Sequence, residues 1–522
     1  MYVRRIVRRT KGILMKRNLI FALLAAMLLP TFAACSETTT EDGAAAGTAG
    51  TTAADGTVET VAEEAEPDKY ALAKEKFEAL AAADFGGADF GIASQAATGN
   101  SEKEIWVEEL TGDAINDAVY NRNLAVNERF NCNITLTPGD VNGIIRQSVQ
   151  AGDATYKLAF PNMATAASMS QVGLLMDYNK LENLNLTEAW WDQGTLAMKI
   201  ADKVFFMNGD INYLDNDVTY IQLFNKQLIT DVGLDVPYEL VREGKWTIDQ
   251  FREMCMNVTT DLDGDGSYTD SDRYGYVTTS EGPCTFFYGS GLTLISYDDA
   301  GVPVLNVDME KTVAALEKVV KIVSEDNITR IPSDVAVGKN MIMEDRVLFY
   351  GEVLSYVINI REMETAFGVL PIPKYDEMQE EYYTYCNAIA STATVPKTGA
   401  SEELGMITSV LEGMAIQSYI QVTPAYYDIA LSRKYTRDDE SAEMLDIALA
   451  NRVYDIGRIY SLGGIGSIFQ TLASSGSTDF ASSFAKSEKP QRKCSTASSR
   501  TIRNLNKIKQ KKLYTGTAFF MS

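Results

Sequence analysis

Phe224-Asn-Lys-Gln-Leu228, then Gly233-Leu-Asp-Val-Pro-Tyr-Glu-Leu240, then Gly244-Lys-Trp-Thr-Ile-Asp-Gln-Phe251 is the stretch from which the architecture is read. Thr219–Phe224, leading into it, is apolar and rich in β-favouring side chains and predicts a strand. Thr247 and Gln250 form a T-x-x-Q capping box. Phe251, Met254, Cys255 and Val258 follow at i, i+3, i+4 and i+7, so a helix with one apolar face starts here. Trp246, just before the cap, is expected to staple against that helix rather than offer its face to a ligand. Strand, connector and helix in quick succession make one unit of an α/β fold.

The same alternation extends in both directions. A helix over Asp113–Phe130 precedes a strand at Ile134–Thr137, and Val204–Met207 reads as a strand before the turn at Asn208-Gly-Asp210. Met309–Val323 is a helix with Val313, Leu316, Val320 and Val323 on one face. Arg346–Tyr350 and Ala366–Leu370 read as strands, the second ending at Pro371-Ile-Pro373. The globular body runs from Phe90 to about Phe484, too long for one core and suited to two domains with two sheets.

Both ends differ from the body. The apolar run Leu19–Leu29 follows basic residues and is too short to span a bilayer as a helix. After it come Pro30-Thr-Phe-Ala-Ala-Cys35 and then a polar tract. This reads as an export signal over 1–34, with the true start at Met15. Residues 35–66 are Thr, Ala, Gly and Glu with almost no large apolar side chain and are expected to form a disordered tether. Tyr70, Ala73, Phe77 and Leu80 then mark a short helix within 67–84. At the far end no acidic residue follows Glu488, and codon choice permits a shifted frame from Pro490 that would encode an amphipathic helix. The tail 489–522 is therefore read as frameshifted and disordered.

The formal charge is −24. Without the seven basic residues of 1–34 and the eight of 490–522, neither segment holding an acid, the body stands at −39. Such a surface repels phosphate backbones and argues against nucleic acid. The chain has no histidine, which removes the commonest general base and metal ligand and every Ser-His or Cys-His pair. Carboxylate-only hydrolysis stays open, with no pair that spacing singles out. Cys132, Cys255, Cys284 and Cys386 show no metal-like spacing; disulfides and buried free thiols are both open.

Taken in order, these motifs resemble the extracellular solute-binding proteins of ABC importers, the large carbohydrate-type group (family 1) that includes maltose-binding protein. The stretch 224–251 carries the likeness, with Phe367-Gly-Val-Leu-Pro-Ile-Pro-Lys374 resembling the family's crossover strand. Thr111-Gly-Asp-Ala-Ile-Asn-Asp-Ala-Val-Tyr-Asn-Arg-Asn123 and Pro424-Ala-Tyr-Tyr-Asp428 resemble a Firmicutes lipoprotein branch. The signal resembles a lipobox, which implies that Cys35 is acylated. The resemblance implies a periplasmic-binding-protein-like type II fold, with two α/β lobes joined by a hinge and the ligand cleft between them. The expected lobes are 85–208 plus 333–372 and 209–332 plus 373–488, with hinges near 205–212, 328–336 and 371–376. The implied role is a lipid-anchored receptor on the outer side of the cell membrane. It would pass a solute, a carbohydrate by the resemblance, to ABC permease subunits. It is expected to be monomeric, to be no enzyme and to need no organic cofactor. An exported carbohydrate hydrolase and a non-transport sensor or adhesin of the same fold are the alternatives.

A sugar site needs flat rings for the C–H faces and polar groups for the hydroxyls. Trp190 and Trp191 of Glu188-Ala-Trp-Trp-Asp192 are candidates, although one of two adjacent tryptophans commonly turns into the core. Asp210 and Tyr213 follow a strand end, Tyr350-Gly-Glu352 ends another, and Tyr426 completes the candidate set. Asp261-Leu-Asp-Gly-Asp-Gly-Ser-Tyr-Thr-Asp-Ser-Asp272 has the EF-hand spacing. Asp261, Asp263, Asp265, Ser267 and Asp272 are candidate calcium ligands, with Asp in place of the usual Glu at the twelfth position. A structural calcium there and a merely solvated acidic turn are the two readings. The lipoprotein expectation is checked directly: Cys35→Ser releases the protein from the membrane fraction or leaves its signal uncleaved, and membrane retention after normal cleavage contradicts it.

Overall fold

The computed structural model describes residues 70–486, apart from 96–102, 399–402, 431–439, 461–464 and a few single positions. The signal, Cys35, the tether 35–66 and the tail 489–522 lie outside the described residues. Helix α1 (Ala71–Ala79) buries Ala73 and Phe77, as its spacing predicts.

The first lobe is built from β1 (Ala88–Gln95), α2 (Ala114–Phe130), β2 (Cys132–Gly139), α3 (Val141–Ala151), β3 (Tyr156–Phe160) and α4 (Met163–Gln171). Asp113 starts α2 by accepting the N–H groups of Ile115 and Asn116, and Asn131, at φ 45°, ends it in the left-handed region. β1 lies between β2 and β3, parallel to both. Residues 391–396 then run antiparallel beside β3, Thr394 opposite Ala159, and Met207 pairs with Ala393 on their other side. The expected strand Val204–Met207 is thus an extended segment bridged at Met207.

The chain enters the second lobe on β4 (Tyr220–Asn225). It continues through α5 (Ile248–Met256), β5 (Tyr274–Thr278), α6 (Gly282–Gly289), the hairpin of β6 (Ile295–Tyr297) with β7 (Pro303–Leu305), α7 (Met309–Val320), β8 (Thr329–Arg330), α8 (Val335–Met343), β9 (Val347–Val353) and β10 (Phe367–Leu370). The α5 cap forms as read: Thr247 Oγ1 accepts the N–H of Gln250. Phe251, Met254, Cys255 and Val258 are buried, and Trp246 meets Phe251 edge-on at 5.8 Å.

The second sheet has the order β8-β5-β9-β4-β10. Its first three strands are parallel, and β4 is antiparallel to both its neighbours. That repeats the first sheet: three parallel strands, an antiparallel strand, then a last one. In both sheets the antiparallel strand is the one on which the chain arrives from the other lobe. This is the two-lobed, periplasmic-binding-protein-like type II arrangement. After β11 (Thr384–Tyr385) and residues 391–396 come α9 (Leu404–Gln417), a π-helical turn Ser418–Val422 and α10 (Thr423–Ala430). Then come α11 (Glu440–Ala450), β12 (Arg452–Val453), α12 (Ile456–Ile459) and α13 (Ile468–Ser474). Cys132, Cys255, Cys284 and Cys386 are buried free thiols.

The expected lobe boundaries need correction. Residues 333–372 contain β9 and β10, which hydrogen-bond to β4 and β5 and so belong to the second lobe. Residues 391–417 of the expected second lobe instead pair with β3 and supply Val395, Met406, Val410 and Met414 to the core of the first. Crossings therefore occur between Met207 and Tyr220, between Cys386 and Ser391, and after Ala430. The first agrees with the expected hinge at 205–212. The segments 328–336 and 371–376 are internal to the second lobe, the latter held by Lys374 pairing with Trp246 and Thr247.

One buried node ties these crossings together. The Glu104 carboxylate accepts the N–H groups of Tyr213 and Leu214 on the first crossing and the hydroxyl of Ser391 on the second. Arg122, fully buried on α2, donates to the carbonyls of Glu104, Ile105 and Ile211 and to Ser418 Oγ, where the chain leaves α9. Burial pushes the Glu104 carboxyl up to about 8, the three donors opposing it. Desolvation likewise raises Asp210, Asp215, Asp217, Glu352 and Glu412, to between about 6 and about 7. Folded protein therefore keeps protons that unfolded chain releases near pH 4, and stability falls as pH rises from about 5 to about 8. Melting temperature measured across that range is expected to decline steadily, and Glu104→Gln to flatten part of the decline. A melting temperature that rises toward pH 8 contradicts the assignment.

Candidate functional site

Arg452 joins the two lobes. It stands on β12 in the second lobe, and the i, i+2 alternation of a strand puts Tyr454 on the same side. Asp192, from the first lobe, and Asp215, from the first crossing, converge on it. Nη2 of Arg452 donates to Asp192 Oδ2 at 2.7 Å, and Nη1 lies 3.3 Å from Asp215 Oδ2. The Tyr454 hydroxyl donates to Asp192 Oδ2 at 2.7 Å and reaches Asp215 Oδ2 at 3.3 Å. Burial lifts the Asp215 carboxyl to about 6, Arg452 opposing the rise and Asp192 adding to it. The Arg452 side chain is 14% exposed, and its Nε is buried without a partner.

The first-lobe half of this arrangement depends on one close backbone approach. Trp191 bridges Gly209, and a Cβ on Gly209 would stand 2.2 Å from the Trp190 carbonyl oxygen, so only glycine fits. The pairing lets Asp192 N–H donate to Asn208 O and fixes the aspartate at the lobe boundary.

Two cavities adjoin Arg452 and Asp192. The larger, about 580 Å³, takes Gln193 and Gly194 from the first lobe and Thr293, Tyr297, Tyr383, Asn451 and Tyr454 from the second. Its size falls within the range of small-molecule sites, and its tyrosines stand among amide, hydroxyl and carboxylate groups. The smaller, about 340 Å³, is lined by Trp191, Asp210, Asp215 and Tyr427 among others.

Of the residues singled out in the sequence, Trp191 and Asp210 share the smaller cavity. Trp190 and Trp191 are both buried in the first-lobe core, their indole N–H groups donating to the two carboxylate oxygens of Glu412 at 3.0 and 3.2 Å. Trp190 is thus a core side chain and lines neither cavity. Tyr213 and Tyr426 pack ring on ring at 5.3 Å, Tyr426 donating to Asp217, and neither lines the cavities beside Arg452. Tyr350 is buried on the far side of β9 and lines a separate cavity of about 320 Å³ with Thr278 and Ser333. Glu352 is buried beyond it, its carboxyl lifted to about 7 by desolvation and one oxygen without a partner. The sequence reading missed Asp192, Asp215, Tyr297, Tyr383, Arg452 and Tyr454. Asp192 ends the tryptophan motif, and Arg452-Val-Tyr454 alternates as a strand face; both were visible signals.

The acidic loop folds around its first carboxylate. Asp261 accepts the N–H groups of Gly264 and Gly266, Asp263 that of Asp265, and Asp265 that of Ser267. Carboxylate oxygens of Asp261, Asp263 and Asp265 lie within 4.8 Å of one another. Asp272 does not join them: its two oxygens accept the N–H groups of Leu262 and Thr269 and so strap the loop closed. Ser267 donates its N–H to Asp265 Oδ1 beside this group. Three of the five candidate ligands therefore converge as a hard cation requires, and Asp272 does not.

No family model and no curated protein matches the chain. Among solved structures it is similar to an ABC substrate-binding protein from Listeria monocytogenes in complex with cycloalternan: 13% identical, covering 80% of this chain and 99% of that one, TM-score 0.49. It is also similar to the maltose/maltodextrin-binding domain from Bdellovibrio bacteriovorus bound to maltotriose, 12% identical over 80% and 100% of the chains, TM-score 0.45. A solute-binding protein from Thermotoga lettingae bound with α-D-tagatose is 13% identical over 80% and 100%, TM-score 0.47.

Proposed function

We propose that the protein is a receptor that captures a small solute, an oligosaccharide, between its lobes and delivers it to an ABC permease, held at the outer face of the membrane through acylated Cys35. The observation that carries this reading is the cavity of about 580 Å³ beside Arg452, lined from both lobes. A ligand that touches both lobes favours their closed arrangement, which is what a transport receptor must signal. Tyr297 and Tyr383 supply ring faces, while Gln193, Thr293, Asn451 and Asp192 supply hydroxyl partners. Hydrolysis is the weaker reading. Asp192 and Asp455 are the carboxylates that line the cavity: Asp192 is ion-paired to Arg452 and hydrogen-bonded to Tyr454, and Asp455 caps α12 by accepting the N–H of Arg458, which suits positioning and not proton transfer. A sensor of the same fold is separated from an importer by whether permease genes neighbour the locus.

Calorimetric titration of the full chain with a panel of neutral oligosaccharides tests the reading. Tyr297→Ala and Tyr383→Ala are each expected to weaken binding roughly three- to tenfold, the size of a ring-stacking contribution, with little change in melting. Chromatography of the recovered sugars should show them intact. Absence of binding across the panel, or turnover, overturns the proposal.

A calcium ion at Asp261, Asp263 and Asp265 is a second proposal, supported by the convergence of their carboxylates. The Asp263 carboxyl is raised overall: the Asp265 N–H lowers it, but desolvation and the charges of Asp265, Asp272 and Asp261 outweigh that contact, and a cation would relieve the repulsion. Binding to the folded state alone adds about 2.7 kcal/mol at a hundredfold excess over Kd. Chelation is expected to lower the melting temperature, and Asp261→Ala with Asp265→Ala to abolish the response while sugar affinity stays unchanged. Unaltered melting under chelation identifies a solvated turn instead.

A further inference from the structure

The smaller cavity beside Arg452 has a chemistry of its own. Tyr70, Trp191, Tyr419 and Tyr427 line its roughly 340 Å³. Tyr70, just before α1, meets Tyr419 edge-on at 5.3 Å, so the start of the globular body closes this wall. The charges are unbalanced. Asp192, Asp210 and Asp215 all line the cavity, and the one cation among the described residues that line it is Arg452, already shared between Asp192 and Asp215. Asp210 accepts the hydroxyl of Thr423 and has no ion pair among the described residues. Burial, with Asp215 and Asp192 adding to it, lifts its carboxyl to about 7 despite the Thr423 contact and the charge of Arg452.

A neutral sugar ring could stack on these walls but would leave the surplus negative charge uncompensated. An anion would meet that surplus directly. A cation answers both features: aromatic faces attract it, and a carboxylate held by one hydroxyl and by no ion pair among the described residues pairs with it. We propose that this cavity takes a protonated amine, with Asp210 as its ion-pair partner and the aromatic rings around it. Because both cavities share Asp192 and Arg452, the solute class that uses both is an oligosaccharide carrying an amino sugar. That last step rests on the receptor reading; the amine site does not.

The test titrates D-glucosamine and D-glucose into the full chain and follows tryptophan fluorescence, since Trp191 lines the cavity. Glucosamine is expected to bind about tenfold or more tighter than glucose, the scale of a desolvated cation–π and ion-pair contact. Asp210→Asn, nearly isosteric, should erase that preference while the affinity of a neutral oligosaccharide for the larger cavity stays within about twofold. Should that variant fail to fold, Tyr427→Leu removes one ring face and is expected to reduce the preference. Equal binding of the two sugars, or a preference that survives Asp210→Asn, overturns the proposal. Loss of neutral-oligosaccharide binding in the wild type with the glucosamine preference intact overturns the receptor reading and upholds the amine site.

Discussion

Arg122 and Glu104 form the contact on which the two-lobed arrangement depends. A guanidinium buried without a carboxylate in direct contact is costly, and it persists here because five acceptors surround it. Apart from Asn123 next to it, those acceptors are not local. They come from the start of the first lobe, from Ile211 on the first crossing and from Ser418 on the way to the third. Glu104 adds Tyr213, Leu214 and Ser391. Asn208 and Asn212 both donate to the Ser391 carbonyl and so bind the first two crossings to each other. The segments that cross between the lobes are therefore joined at one polar node, and α9 leaves it through the π-helical turn at Ser418–Val422.

The site inherits its chemistry from the same neighbourhood. Asp215 directly follows Tyr213 and Leu214, which Glu104 holds, and Asp192 is placed by the Trp191–Gly209 bridge just before that segment begins. Arg452 reaches both from the other lobe. Carboxylates outnumber cations here, as they do over the body as a whole, and burial makes the imbalance felt in raised carboxyl affinities for protons. Proton affinity, lobe contact and the proposed ligand preference thus share one charge distribution.

Local elements were legible in the sequence because their causes are local. The Thr247 cap, the apolar face of α5, the Trp246 staple and the strands around Tyr220–Phe224 and Phe367–Leu370 follow from neighbours a few residues away. Lobe membership did not follow. Leu223 pairs with Tyr350, and Ala159 with Thr394, pairings between distant segments that no periodicity encodes. The site was hidden for the same reason. Asp192 and Arg452 are ordinary charged residues until the fold brings them to 2.7 Å, whereas Trp190, conspicuous in the sequence, is capped by Glu412 and serves the core. The acidic loop shows a middle case: its first three carboxylates converge as the motif implies, but Asp272 is diverted by two backbone N–H groups close to it in sequence.

Closure of the two lobes on a solute is the central claim, and small-angle X-ray scattering measures it most directly. The radius of gyration of the full chain is compared with and without a saturating mixture of neutral oligosaccharides. A ligand-dependent contraction, absent in a Tyr297→Ala, Tyr383→Ala double variant, is the predicted result. An unchanged radius with bound sugar confirmed by calorimetry would show that the lobes do not close on it and would contradict the account.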